Sequence, residues 1–276
     1  MKRIELLDTT LRDGAQAEGI SFSVRDKLAI AETLDALGIP LIEAGNPGSN
    51  PKDLEFFAAA RRLRLRQARV AAFGATCRPR LLPADDPQVR SLLAADTEVV
   101  VIFGKSWRLH VTEVLRTTPE ENLRMIRDTV AFFAGRGRHV IYDAEHFFDG
   151  WKADADYALR TIAAAAEAGA ATICLCETNG GCFPEEVAQA TAAAMAQTGG
   201  RAGGRAAVGV HTHNDAGLGV ANALAGVRAG ATHVQGTLAG FGERCGNASL
   251  ATILANLQLK LGRECIPAER LPMLTA

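Results

Sequence analysis

A closed (β/α)8 barrel is the fold that this sequence predicts. Eight short β-type runs recur along the chain with helical segments between them. The 276 residues suit one such barrel, which needs roughly 250. Alternating β and α argues for a parallel sheet, and eight units in this length favour closure over an open, doubly wound sheet.

The β-type runs fall at residues 4–8, 41–44, 69–74, 98–103, 139–144, 171–176, 206–211 and 233–237. Apolar residues at helical spacing predict helices over 24–37, 53–63, 119–134, 155–168, 184–196, 218–229 and 250–261, with a shorter one over 87–95. Three helices end at glycine, in Leu37-Gly38, Ala168-Gly169 and Ala229-Gly230. Glycine tolerates the left-handed conformation that a helix C-terminus often needs. The Gly/Arg-rich segment 198–205 reads as a loop before the seventh strand. Residues 1–262 form the expected barrel. Residues 263–276 hold two prolines and no clear periodicity, so they read as a tail or as the start of a linker to a further C-terminal region.

Apolar residues make up 48% of the chain, enough for a large core. The formal net charge of −1 gives no basic footprint, which argues against a nucleic-acid partner. The first residues run straight into a strand and lack the apolar stretch of a signal peptide. No run of about 18 apolar residues exists, so no membrane span is expected. The six cysteines include no CxxC pair, which suggests reduced thiols in the cytoplasm.

In such barrels the C-terminal ends of the strands carry the chemistry. The first strand leads into Asp8-Thr9-Thr10-Leu11-Arg12-Asp13-Gly14, the second ends near Glu43, and the fifth near Glu145-His146. The sixth ends near Glu177-Thr178-Asn179 and the seventh in His211-Thr212-His213-Asn214-Asp215. Residues i and i+2 on an extended segment point the same way, so His211 and His213 can approach one ion together. With Asp13 nearby they make a three-ligand site that leaves positions open for substrate and water. Mixed nitrogen and oxygen ligation suits a divalent metal: Mn²⁺, Mg²⁺, Zn²⁺ or Co²⁺. Arg12, beside Asp13, is placed to stabilise charge developing on a carbonyl oxygen. A buried Glu145 needs a partner, for which Arg12 or the metal site could serve. After the eighth strand, a glycine-rich stretch over 240–247 carries Glu243, Arg244 and Asn247.

Three motifs resemble those of the metal-dependent acyl-CoA Claisen enzymes, the DRE-TIM metallolyase superfamily. They are Asp8-Thr9-Thr10-Leu11-Arg12-Asp13-Gly14-Ala15-Gln16, His211-Thr212-His213-Asn214-Asp215 and Gly242-Glu243-Arg244-Cys245-Gly246-Asn247. Pro47-Gly48-Ser49-Asn50, Phe103-Gly104-Lys105-Ser106-Trp107 and Tyr142-Asp143-Ala144-Glu145-His146 narrow the resemblance to the citramalate synthases of bacterial type. It spans about residues 3–262.

The resemblance implies condensation of acetyl-CoA with pyruvate to citramalate and CoA. It implies Asp13, His211 and His213 as metal ligands and Arg12 as the electrophilic arginine. Glu145 is implied as the glutamate of the Asp–Arg–Glu set, and Thr178 as the holder of the keto-acid carboxylate. Asn247 is implied to bind substrate or support a fourth ligand, and the expected assembly is a homodimer. Phe73 and Phe103, near the ends of strands three and four, are placed to wall a small keto-acid pocket. Asn46 stands where an aromatic is expected and Glu177 where aspartate is. Full-length synthases continue beyond the barrel. The competing readings are a lyase or aldolase on the same metal barrel, condensation with a larger 2-oxo acid as in 2-isopropylmalate synthase, and a non-catalytic barrel that binds metal and keto acid.

Overall fold

A computed structural model describes residues 3–199 and 206–275. Its eight strands form a closed parallel barrel in chain order. They are β1 Glu5–Asp8, β2 Leu41–Glu43, β3 Arg69–Ala75, β4 Val99–Lys105, β5 His139–Glu145, β6 Thr172–Glu177, β7 Ala207–Thr212 and β8 His233–Gly236. Closure is direct: Leu7 pairs with Leu41 of β2 on one side and with Gln235 of β8 on the other. The helices are α1 Val24–Leu37, α2 Pro51–Ala60, α3 Pro87–Ala94, α4 Pro119–Ala134, α5 Phe147–Ala153, α6 Ala155–Glu167, α7 Pro184–Thr198, α8 Gly219–Arg228 and α9 Leu250–Ala255.

Strand alternation divides the core in two. One set of side chains points inward, where Leu7, Leu41, Ala71, Val99, Val101, Ile141 and Cys174 form a buried plug with Phe73 against it. The alternate set, including Leu6, Ile42, Ala72, Val100, Tyr142 and Ile173, points outward into the larger core beneath the helices. Both faces are covered, so the strands read as nearly continuous apolar runs. The same alternation stacks the inward polar residues in layers. Glu5, Arg69, His139 and His233 lie at the N-terminal end, below the plug. Glu43, Asp143, His211 and Gln235 lie above it.

Local chemistry sets the helix boundaries. Ser23 and Asp26 form a reciprocal capping box that starts α1, and Gly38 ends it at φ 105°. Proline stands in the first turn of α2, α3, α4 and α7, where its missing N–H costs nothing. The expected helix over 250–261 is α only to Ala255 and continues as a π turn, Asn256–Lys260. The α5 helix, not expected from the sequence, follows β5 with only His146 between, in the left-handed region at φ 54°. Of the expected loop 198–205, residue 198 ends α7 and residues 200–205 lie outside the described residues. The stretch after residue 262 is docked. Arg3 bridges Glu264, Cys265 and Ile266 are buried, and residues Ala268–Thr275 form a 3-10 helix. No helix among the described residues is long and apolar enough to cross a membrane.

Candidate active site

A cavity of about 350 Å³ opens at the C-terminal end of the barrel. Arg12, Asp13, Phe73, Phe103, Asp143, Glu145, Cys176, Thr178, His211 and His213 line it. The segment after β1 turns sharply, with the Asp13 amide donating to the Thr9 carbonyl, and this carries Arg12 and Asp13 over the mouth. His211 and His213 project from the end of β7 on the same face.

One ring or carboxylate atom from each of Asp13, His211 and His213 lies within 4.8 Å of the others, and all three residues are buried. The Nε2 atoms of His211 and His213 stand 3.2 and 3.8 Å from Asp13 Oδ2. The opposite ring nitrogens are engaged. His211 Nδ1 meets Gln235 Oε1 at 2.9 Å, and His213 Nδ1 meets the Glu177 carbonyl at 3.1 Å. Gln235 is oriented in turn, because its amide nitrogen donates to Asp143 Oδ1 at 2.8 Å. Acceptors at both Nδ1 atoms select the tautomer that leaves Nε2 as a lone pair facing Asp13. His211 Nε2 is buried with no hydrogen-bond partner. Two aimed imidazole lone pairs, one of them on a buried nitrogen without a partner, and one carboxylate fit a divalent cation.

The electrostatics agree. Burial alone would push the Asp13 carboxyl up, but the Arg12 guanidinium and the two imidazoles hold it well below the usual carboxylate range. Burial opposes protonation of His211, yet the adjoining Asp13 carboxylate raises it. At His213 burial and the neighbouring His211 prevail, bringing it down to about 4. A cation at this point would replace the proton that the cluster otherwise competes for.

Arg12 Nε donates to Glu43 Oε1 at 2.5 Å, and its guanidinium lies 3.8 Å from the Phe73 ring centroid. Burial pushes Glu43 up to about 7 despite that contact. Arg12 thus faces Glu43 and, at 3.7 Å, Asp13. Glu145 instead forms an ion pair with Lys105 at the cavity wall. Thr178 Oγ1 accepts from the His146 amide, so its own hydroxyl proton stays free for the cavity. Asn247 does not line the cavity. Its backbone bridges His213, and its two side-chain polar atoms are buried without partners. Phe73 and Phe103 stack with centroids 5.0 Å apart and close one side.

Asp143 and Gln235 are the site residues that sequence reasoning passed over, and Glu43 was placed at the mouth without its partner. Each stands at an inward strand position, where a buried polar group demands a partner. That signal was available in Leu41-Ile42-Glu43 and in His233-Val234-Gln235.

The HMGL-like domain profile matches residues 3–271. The chain belongs to the HMGL-like family. It is 52% identical over 273 residues to the (R)-citramalate synthase of Synechocystis sp., covering 98% of this chain and 50% of that protein. To the (R)-citramalate synthase of Aquifex aeolicus it is 50% identical, over 99% and 51%. A 2-isopropylmalate synthase of Methylorubrum populi is 35% identical, over 94% and 48%. The chain spans about half the length of the curated relatives it matches. Among solved structures, the hydroxymethylglutaryl-CoA lyase from Pseudomonas aeruginosa superposes with a TM-score of 0.79 at 18% identity, covering 99% of this chain and 91% of that one. At that identity the superposition establishes the shared barrel fold alone.

Proposed function

We propose that this barrel is the catalytic unit of a citramalate synthase, condensing acetyl-CoA with pyruvate to give citramalate and CoA. The observation that carries it is the convergence of Arg12 on the Asp13, His211 and His213 cluster in a small, aromatic-walled cavity. The relatives named (R)-citramalate synthase support the choice of reaction. Asp13, His211 and His213 would hold Mn²⁺, Mg²⁺, Zn²⁺ or Co²⁺. A divalent ion there supplies Lewis acidity beside the keto oxygen.

The side chains do the rest. Arg12 is fixed through Nε by Glu43 and packed on Phe73, so its terminal N–H groups are preorganised to donate to the keto oxygen as it gains negative charge. Thr178 donates its free hydroxyl to the pyruvate carboxylate. Glu145, held by Lys105 at the wall, orients the acetyl thioester and receives the methyl proton. Attack of the resulting enolate carbon on the keto carbon forms the new bond, and hydrolysis of the thioester releases CoA. Asn247 steadies the His213 backbone from beneath. The stacked Phe73 and Phe103 leave room for a methyl group and disfavour longer 2-oxo acids. The working unit is a homodimer in the cytoplasm, consistent with six free thiols.

The test is incubation of the purified chain with acetyl-CoA, a divalent metal and either pyruvate or 2-oxoisovalerate. Free-thiol release and mass spectrometry report the outcome. Metal-dependent citramalate formation is expected. Condensation only with 2-oxoisovalerate, or cleavage of citramalate without any synthesis, would overturn the assignment.

A further inference from the structure

The upper barrel holds a second cluster of ligating atoms. On β5 and β6, Asp143 pairs with Cys174, and on β6 and β7, Cys176 pairs with His211. Strand alternation sends Asp143, Cys174 and Cys176 to the same inner face. A carboxylate oxygen and the two sulfurs lie within 4.8 Å of one another, and all three residues are buried. Cys174 faces Gly209 across the β6–β7 pairing, and the His233 side chain packs against that glycine.

We infer that Asp143, Cys174 and Cys176 form a second metal site, separate from Asp13, His211 and His213 and selective for thiophilic divalent cations such as Cd²⁺ and Zn²⁺. The two clusters differ in kind. The first offers two nitrogens and one oxygen, which hard and borderline ions accept. The second offers two sulfurs and one oxygen, which soft ions prefer. A tetrahedral zinc with bonds near 2.3 Å separates its sulfurs by roughly 3.8 Å. The cluster closes on such an ion with side-chain shifts of about an ångström or less. Asp143 and Cys176 line the cavity, so the ion has an entry path and an open fourth position. On ligation each thiol releases its proton to solvent.

The second site also touches the first through one residue. Gln235 donates to Asp143 Oδ1 and meets His211 Nδ1. An ion that draws on the Asp143 carboxylate weakens the contact that orients Gln235, and with it His211. The inference does not depend on which reaction the barrel catalyses.

Cadmium bound by thiolate has an ultraviolet charge-transfer band that nitrogen and oxygen ligation lacks, and this reads the site without any activity. Cys245 is exposed, so the titration uses the 276-residue chain carrying Cys245→Ser. With Cd²⁺ as probe, the band should rise and saturate. It should persist in Asp13→Asn, and Mn²⁺ in excess should not displace it. Cys174→Ala and Cys176→Ala should each remove about half of its amplitude or more, because each supplies one of two thiolates. Cys176→Ala, at the cavity wall, decides alone should Cys174→Ala fail to fold by circular dichroism. Absence of the band, or full amplitude in Cys176→Ala, would overturn the assignment.

Discussion

At the N-terminal end of the barrel, Glu5, Arg69, His139 and His233 point inward; at the C-terminal end, Arg12, Asp13, Glu43, Asp143, His211 and His213 crowd together. The side-chain types are similar and their treatment differs. Below the plug, Glu5 Oε2 meets His233 Nδ1 at 3.1 Å, and Arg69 lies 4.0 Å from Glu5 and 2.8 Å from Glu98. Burial works against the Glu5 carboxylate, but His233, His139 and Arg69 bring it down to about 2. At the mouth, burial keeps Glu43 up at about 7 despite Arg12, and His211 Nε2 has no partner. The lower cluster gives its carboxylate protein partners in His233 and Arg69, although His139 and His233 each keep a buried Nε2 without one. The upper one leaves donors and acceptors for something that is not protein, as expected where function takes precedence over stability.

The comparison breaks hardest at Arg12. Arg12→Lys keeps a cation but loses the planar fork held by Glu43, so turnover should fall by about 10²–10³. Its thermal midpoint should stay close to wild type. A coupled thiol assay and calorimetry check both, and activity within about twofold of wild type would remove the arginine from the mechanism.

The aromatic wall sharpens the mouth's side of the comparison. Removing one ring of the stacked pair with Phe103→Ala should shift the preference between pyruvate and 2-oxoisovalerate toward the larger acid by about tenfold, near the value of one or two methylenes. The ratio of kcat/KM values measures this. An unchanged ratio would mean that the rings only pack.

The lower end should respond in stability. Glu5 titrates lower folded than unfolded, so its contribution is present above pH 4.5 and is lost as pH falls from there through about 2. His139, pushed down by burial, has the same sign: its contribution is lost as pH falls through the folded value. The whole Glu5 shift would be worth about 3 kcal/mol, and solvent screening of a side chain one-third exposed reduces it to about 1 kcal/mol. Glu5→Gln should therefore be less stable than wild type by about that amount near neutral pH, with the gap closing in acid. Urea unfolding across the range tests it, and a gap independent of pH would contradict the pairing. The exposed contact of Arg61 with Asp96, at 4.0 Å, calibrates the scale. Arg61→Ala should change stability by no more than about 0.5 kcal/mol.

Legibility in the sequence followed the range of the interaction. The barrel was readable because apolar periodicity and glycine ends are local, and α1 and α4 fall on their expected bounds. His211 and His213 were readable because two residues on one strand need no fold to bring them together. The partner of Arg12 was not, since Glu43 is 31 residues away and only the parallel pairing of β1 with β2 across the α1 crossover brings the two together. The α5 helix was hidden for another reason. It begins at a left-handed His146 and contains Gly150, so neither propensity nor a starting turn announces it. Gly150 is there because a Cβ would run into the Ser106 carbonyl oxygen, a packing constraint that no local pattern reveals.

The central claim is that Asp13, His211 and His213 hold a cation on which a keto acid is bound. Titration calorimetry with Mn²⁺, followed by pyruvate, tests it most directly in wild type and His211→Ala. Wild type should take up one ion at this site and then bind pyruvate, with no pyruvate heat when Mn²⁺ is omitted. His211→Ala should show neither event while remaining folded by circular dichroism. Mn²⁺ uptake in His211→Ala with wild-type stoichiometry and affinity, or pyruvate binding that ignores the metal, would contradict the account.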